Sequence, residues 1–170
     1  MSAVATPGAR VVLAPPVLAF LPAYASLDDP VAEVRGAVLE AVRWLGRDVT
    51  VLGDDQARRV AEHLLASTPR SGDVPSYLVM GNGSARRTDA SPGPFDERAV
   101  AFDEGLAQAL RAGDGAALAA VDAALARELW ASVDGLSRLG DLGALGTPRV
   151  DYDDAPLGVQ YWVMRWTCES

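Results

Sequence analysis

The alternation of short apolar runs with amphipathic stretches narrows the fold most. Residues 9–14 are apolar and β-branched and stop at Pro15-Pro16. A run of that length reads as a buried strand, and proline ends it because it cannot donate to a ladder. Asp29-Pro30 then precedes Val31, Val34, Val38, Ala41, Val42 and Leu45, which recur at helical spacing before Gly46. That is an N-cap candidate, an N1 proline, an apolar stripe and a helix stop. Residues 48–52 follow at once as a second buried strand, bounded by Gly53. Strand, crossover helix and strand commit the chain to a sheet with parallel members.

The rest extends the pattern. Asp54 or Asp55 caps a second helix with Ala57, Val60, Ala61, Leu64 and Leu65 on its inner stripe, and two prolines and a glycine break residues 68–75. Residues 76–80 form a third strand, ending in Gly81-Asn82-Gly83. Residues 83–94 show no periodicity and read as a surface loop, a length that in a compact domain often carries function. Residues 95–112 place Ala99, Phe102, Leu106 and Leu110 on one helical face, closed by Gly113; Asp114 caps a further helix holding Leu118, Val121, Leu125 and Leu129. Beyond Ser132, leucines alternate with glycines as a weak helix, and residues 149–152 and 159–166 finish the chain as strands. No repeat or linker divides residues 1–170, so one α/β domain is expected, a three-layer α/β/α sandwich around a mostly parallel sheet.

Charge and residue usage exclude several chemistries. A net charge of −8 with scattered arginines repels a phosphate backbone, so nucleic acid is not an expected partner. All 15 basic residues are arginine, which rules out lysine Schiff bases and a P-loop lysine. Cys168 is the single cysteine, so no internal disulfide or thiolate cluster can form, and a reducing, cytoplasmic setting fits best. Residues 11–25 end in Ala23-Tyr24-Ala25, which imitates a signal-peptide cleavage site, but Pro15, Pro16 and Pro22 interrupt the apolar region. No other segment approaches the ~20 apolar residues of a membrane span, so no membrane partner is expected.

Three segments occur in order: Val79-Met80-Gly81-Asn82-Gly83-Ser84-Ala85-Arg86-Arg87; Pro94-Phe95-Asp96-Glu97-Arg98-Ala99 with Phe102-Asp103; and Tyr152-Asp153-Asp154-Ala155-Pro156-Leu157-Gly158-Val159-Gln160-Tyr161. Together they resemble actinobacterial proteins of the class III extradiol dioxygenase-like family, in the superfamily that includes ring-opening dioxygenases and the Memo proteins. The resemblance covers residues 76–167, and the N-terminal third only through its strand, Pro-Pro loop and helix. It implies an α/β/α sandwich with a site beyond the strand ends. In the true dioxygenases it further implies Fe(II) held by two histidines and a glutamate, with a separate histidine for proton transfer. The family's first ligand lies in a His-Pro-type turn after the first strand. Here that segment is Leu13-Ala14-Pro15-Pro16-Val17-Leu18, with Ala14 at the histidine position. The single histidine, His63, falls mid-helix with no partner histidine at i+3 or i+4. One histidine cannot build a two-histidine site, so neither a metal nor another cofactor is expected.

Two polar groupings are candidate sites. A glycine-rich turn at a strand end can aim N–H groups and an arginine fork at an anion, which singles out Asn82, Ser84 and Arg86; an Asn-Gly pair is equally ordinary turn chemistry. Asp151, Asp153 and Asp154 are a carboxylate cluster of the kind that holds Mg²⁺ or Ca²⁺ or tunes an acid-base pair. Strand alternation would put Asp151 and Asp153 on one face and Asp154 on the other, and a capped turn into Ala155-Pro156 explains them too. The expected ligand-binding set is Asn82, Ser84, Arg86, Tyr152, Asp153 and Asp154, for a small polar or anionic ligand, with Arg86 near Asp153 or Asp154 at the carboxyl ends of parallel strands. Trp44, Trp130, Trp162 and Trp166 read as core and interface anchors. Tyr161-Trp162-Val163-Met164, apolar on both faces, is either central in the sheet or covered by a second copy in a homo-oligomer.

Two functions stay open. One is a small-ligand-binding or assembly module on a dioxygenase-like scaffold without iron chemistry. The other is a metal-dependent enzyme, a dioxygenase or hydrolase, using carboxylates near Asp153 and Asp154.

Overall fold

The structure, a computed structural model, describes residues 5–24 and 27–169. Ala25, the last residue of the cleavage-like triplet, lies outside them. Among the described residues the chain forms a five-stranded sheet in the order β2-β3-β1-β5-β4. β1 (Arg10–Ala14) pairs in parallel with β3 (Ser76–Met80), which pairs in parallel with β2 (Val49–Leu52). β5 (Tyr161–Thr167) lies antiparallel along the other side of β1, and β4 (Arg149–Asp154) antiparallel along β5. Four strands therefore run one way and β5 runs against them, giving an α/β fold with a mixed sheet. The apolar run Tyr161-Trp162-Val163-Met164 is buried, paired along one edge with β4 and, at Met164, with β1 along the other.

Alternation along β1 assigns the two faces. Val11 and Leu13 join one apolar cluster with residues of α3 (Ala99–Ala112), α4 (Gly115–Ala119), α5 (Ala123–Glu128) and α6 (Asp134–Leu139). Val12 and Ala14 join the other with α1 (Ala32–Trp44) and α2 (Asp55–Ser67). Each fully buried valine or leucine contributes about 1.5–3 kcal/mol, so β1 is bound to both clusters. The crossover through α1 steps from β1 two places outward to β2, and the one through α2 steps back to β3. Both helices lie on the same face, so the two crossovers have opposite hands, a departure from the usual right-handed rule.

Three local expectations need correction. Asp29 does not cap α1, which starts at Ala32; its carboxylate pairs with Arg35 instead. The helix expected after Asp114 is two helices, because Asp122 accepts Leu125 N–H at 3.0 Å and so starts α5 afresh. β4 runs two residues further than expected, to Asp154. Residues 83–94 contain neither helix nor named strand, as the composition predicts. Among the described residues no helix is long and apolar enough to cross a membrane.

Candidate ligand cleft at the strand carboxyl ends

The turn after β3 is a scaffold. Gly81 N–H donates to Ala14 O at 3.0 Å, and Asn82 and Ser132 exchange main-chain bonds at 3.0 and 3.1 Å. Gly83 N–H donates to Gln160 O at 2.9 Å. Residue 83 must be glycine, since a Cβ there would collide with the Asp103 carboxylate and lie 2.8 Å from Gln160 Cβ. Ser84 is fully buried: its Oγ donates to Leu129 O at 2.6 Å and accepts Arg86 N–H at 3.0 Å, while its N–H donates to Asp103 Oδ1 at 2.8 Å. Arg87 donates to the other oxygen of Asp103 at 2.5 Å. Burial pushes the Asp103 carboxyl up, against the lowering effect of the Ser84 N–H and the Arg87 guanidinium. Arg86 donates to Pro94 O and Glu128 O, both at 2.6 Å, and lies 3.6 Å from Asp96. Asp96 is held well below the usual carboxylate range, first by Arg98. The Ser84 hydroxyl and the Arg86 Nε and Nη1 thus donate within the chain, and both residues position segment 127–132 through Leu129 O and Glu128 O.

The carboxylates of β4 do not converge. A bulge between Val150 and Tyr152 shifts the register, so Tyr152 sits opposite Val163 and Asp153 opposite Trp162. Asp151 therefore does not share a face with Asp153. It takes a bidentate grip from Arg165 at 2.7 and 2.8 Å. Asp153 pairs with Arg111 of α3 and accepts Gln160 Nε2–H at 2.7 Å. Asp154, on the opposite face, accepts its neighbour Ala155 N–H at 2.7 Å. Tyr152 is a core residue, and burial is the main cause that raises its hydroxyl pKa. β3 and β4 do end at the same side of the sheet, but β1 and β5 stand between them. Arg86 and Asp153 have separate partners; Gln160 bonds to Asp153 and, through its main chain, to Gly83 and Ser84.

Of the expected set, Asn82 lines a cleft. Pro16 beyond β1, Asp54 and Gln56 beyond β2, and Asn82 beyond β3 line it together with Arg127, Trp130, Ala131 and Ser132, around about 400 Å³. The chain leaves β1 toward the α1 face and β3 toward the opposite one, the divergence that opens crevices in α/β sheets. An adjoining hollow of about 390 Å³ continues past Asp134 and Ser137. A larger groove of about 550 Å³ lies at the opposite sheet end beside Trp44, Arg149 and Arg165, but Asp151 already engages both arginines there.

Trp130 is not a core anchor: it is 53% exposed. Its backbone φ is +58°, the left-handed region. The cause is the end of α5. Ala131 N–H donates to Ala126 O at 2.8 Å and Trp130 N–H to Arg127 O at 3.2 Å, the paired bonds of a Schellman stop, whose left-handed position usually holds glycine. The indole packs on Gly93, where a Cβ would come within 3.0 Å of the ring. The Gly-Asn-Gly motif pointed to this end of the sheet, but residues 127–132 carry no sequence signal beyond an exposed-type arginine and a tryptophan indistinguishable from a core one.

The iron site implied by the resemblance does not fit these residues. Ala14 is buried with only a methyl to offer. His63 lies nine positions beyond Asp54 on α2, about 13 Å along the axis from the cleft at 1.5 Å per residue. Among the described residues no three His, Cys, Asp or Glu side chains are grouped to hold a metal ion. No family model matches the chain, and no curated protein matches it.

Proposed function

We propose that this chain is a small-ligand-binding protein, a dioxygenase-like scaffold without iron chemistry, whose site is the cleft between Asn82 and Trp130. Trp130 in its glycine-type position carries the reading. A left-handed conformation costs a side-chain-bearing residue about 1–2 kcal/mol that glycine would not incur, and half of the indole gains nothing from burial. Backbone strain of this kind points toward a functional side chain. Arg127 supports the same reading, since its guanidinium makes no hydrogen bond or ion pair among the described residues and the residue lines the cleft.

A fragment screen by NMR tests this on the full chain. Hits are expected to move the Trp130 indole and Asn82 side-chain amide signals, the former assigned with Trp130→Phe. Trp130→Gly should keep or raise stability by up to about 1 kcal/mol, because glycine accepts the left-handed backbone freely, and should abolish the hits. If Trp130→Gly instead unfolds the protein or binds fragments unchanged, the indole is a structural plug and the reading fails.

A further inference from the structure

Resting on that reading, we infer that the cleft takes a neutral polyhydroxylated ring, a pyranoside, rather than an anion or a flat aromatic acid. The site offers one aromatic face and a rim of polar groups. Asp54 gives one carboxylate oxygen to its helix, accepting Ala57 N–H at 2.8 Å, and its second oxygen accepts no hydrogen bond among the described residues. Asn82 donates Nδ2–H to Gly83 O at 2.8 Å and keeps its Oδ1. The side chains of Gln56 and Arg127 and the Ser132 hydroxyl make no hydrogen bond among the described residues, and these residues line the same space. The Gln56 carboxamide and the Arg127 guanidinium are planar groups with paired polar sites, a spacing that suits neighbouring hydroxyls on a ring, and Asp54 and Asn82 each add an oxygen acceptor.

Charge and shape separate the ligand classes. Asp54 offsets Arg127 inside the cleft, and Asp134 next door is paired with Arg138, so no excess of positive charge favours an anion, on a chain whose net charge is −8. A flat aromatic ligand gains most between two apolar walls, and here Trp130 shares the lining mainly with polar side chains, Asp54, Gln56, Asn82, Arg127 and Ser132. A sugar ring has a C–H face to lie on the indole and a rim of hydroxyls for these side chains. Half-exposed Trp130 presents such a face, held in place through Gly93.

Titration of the full chain with methyl glucoside, galactoside and mannoside, and with their disaccharides, tests the class by ¹H–¹⁵N NMR. At least one sugar should shift the Trp130 indole and Asn82 amide signals saturably, and Trp130→Ala and Arg127→Ala should each weaken it, by about tenfold for the stacking residue. Benzoate and inorganic phosphate run in parallel. If either acid moves the Trp130 signal while every sugar is silent, the pyranoside assignment is overturned and the ligand cleft stands. If neither sugars nor acids move it, the pyranoside assignment is overturned as well, and the fragment screen then decides the cleft. Sugar shifts that persist unchanged in both variants also overturn it.

Discussion

Asp103 is a carboxylate with two donors and almost no water around it. It sits on α3 at 2% exposure, between Ser84 N–H and Arg87. Removing its solvation raises its affinity for a proton, and the two donors only partly offset this. Because the folded value lies above the ordinary 3.8, the folded chain holds the proton to higher pH than the unfolded chain. The stability from this group is therefore fully present below 3.8 and lost as pH rises through the raised value. Asparagine at the same place does not titrate. The stability gap between the natural chain and Asp103→Asn should therefore narrow as pH rises from 3.8 toward neutrality, read from urea midpoints at each pH. A gap that widens would show that Arg87 and Ser84 outweigh burial. Gly83 belongs to the same knot, since its missing Cβ lets Asp103 approach the turn.

At the scale of elements, segment 127–132 is held from one side by the turn after β3. Arg86 grips Glu128 O, Ser84 grips Leu129 O, and Asn82 bridges Ser132. Arg86→Ala removes two charge-assisted bonds from a half-buried side chain, a cost of about 1–2 kcal/mol. The loss should be local. Amide hydrogen exchange should quicken at residues 128–132, while β1 and β3 stay protected at the level of global unfolding. Uniformly faster exchange would mean that Arg86 stabilises the fold and not this wall of the cleft. The loop expected at residues 83–94 enters here as well, because Gly93 and Pro94 contact Trp130 and Arg86.

At the scale of the molecule, the ligand set for catechol ring cleavage has no counterpart. Ala14 ends β1 with a methyl group, and His63 stands on a helix away from the cleft. An Fe(II) ion without two imidazoles is weakly held and poorly oriented for dioxygen. The chain loaded anaerobically with Fe(II), then given catechol or protocatechuate and air, should produce no visible absorbance of a ring-opened product. Ring-opened product from the purified chain would overturn the reading of a scaffold without iron chemistry.

The strands, helices α1 and α2 and the α3 stop at Gly113 were legible in the sequence, because apolar spacing and glycine or proline punctuation act over a few residues. So was the lack of a two-histidine site, which is a matter of counting. Strand order was not: that β1 and β5 separate the Gly-Asn-Gly turn from Asp153 depends on which buried strands pair, and the apolar runs are alike. The bulge at Asp151 sends the three carboxylates to different partners, a shift of one residue that alternation cannot foresee. Ser84 and Arg86 carry the residue types of a ligand turn, yet the Ser84 hydroxyl donates to Leu129 O and the Arg86 guanidinium to Glu128 O and Pro94 O. Trp130 became exposed only because a Schellman stop swings it outward, and whether an indole meets core or water is settled by what the rest of the chain leaves open around it.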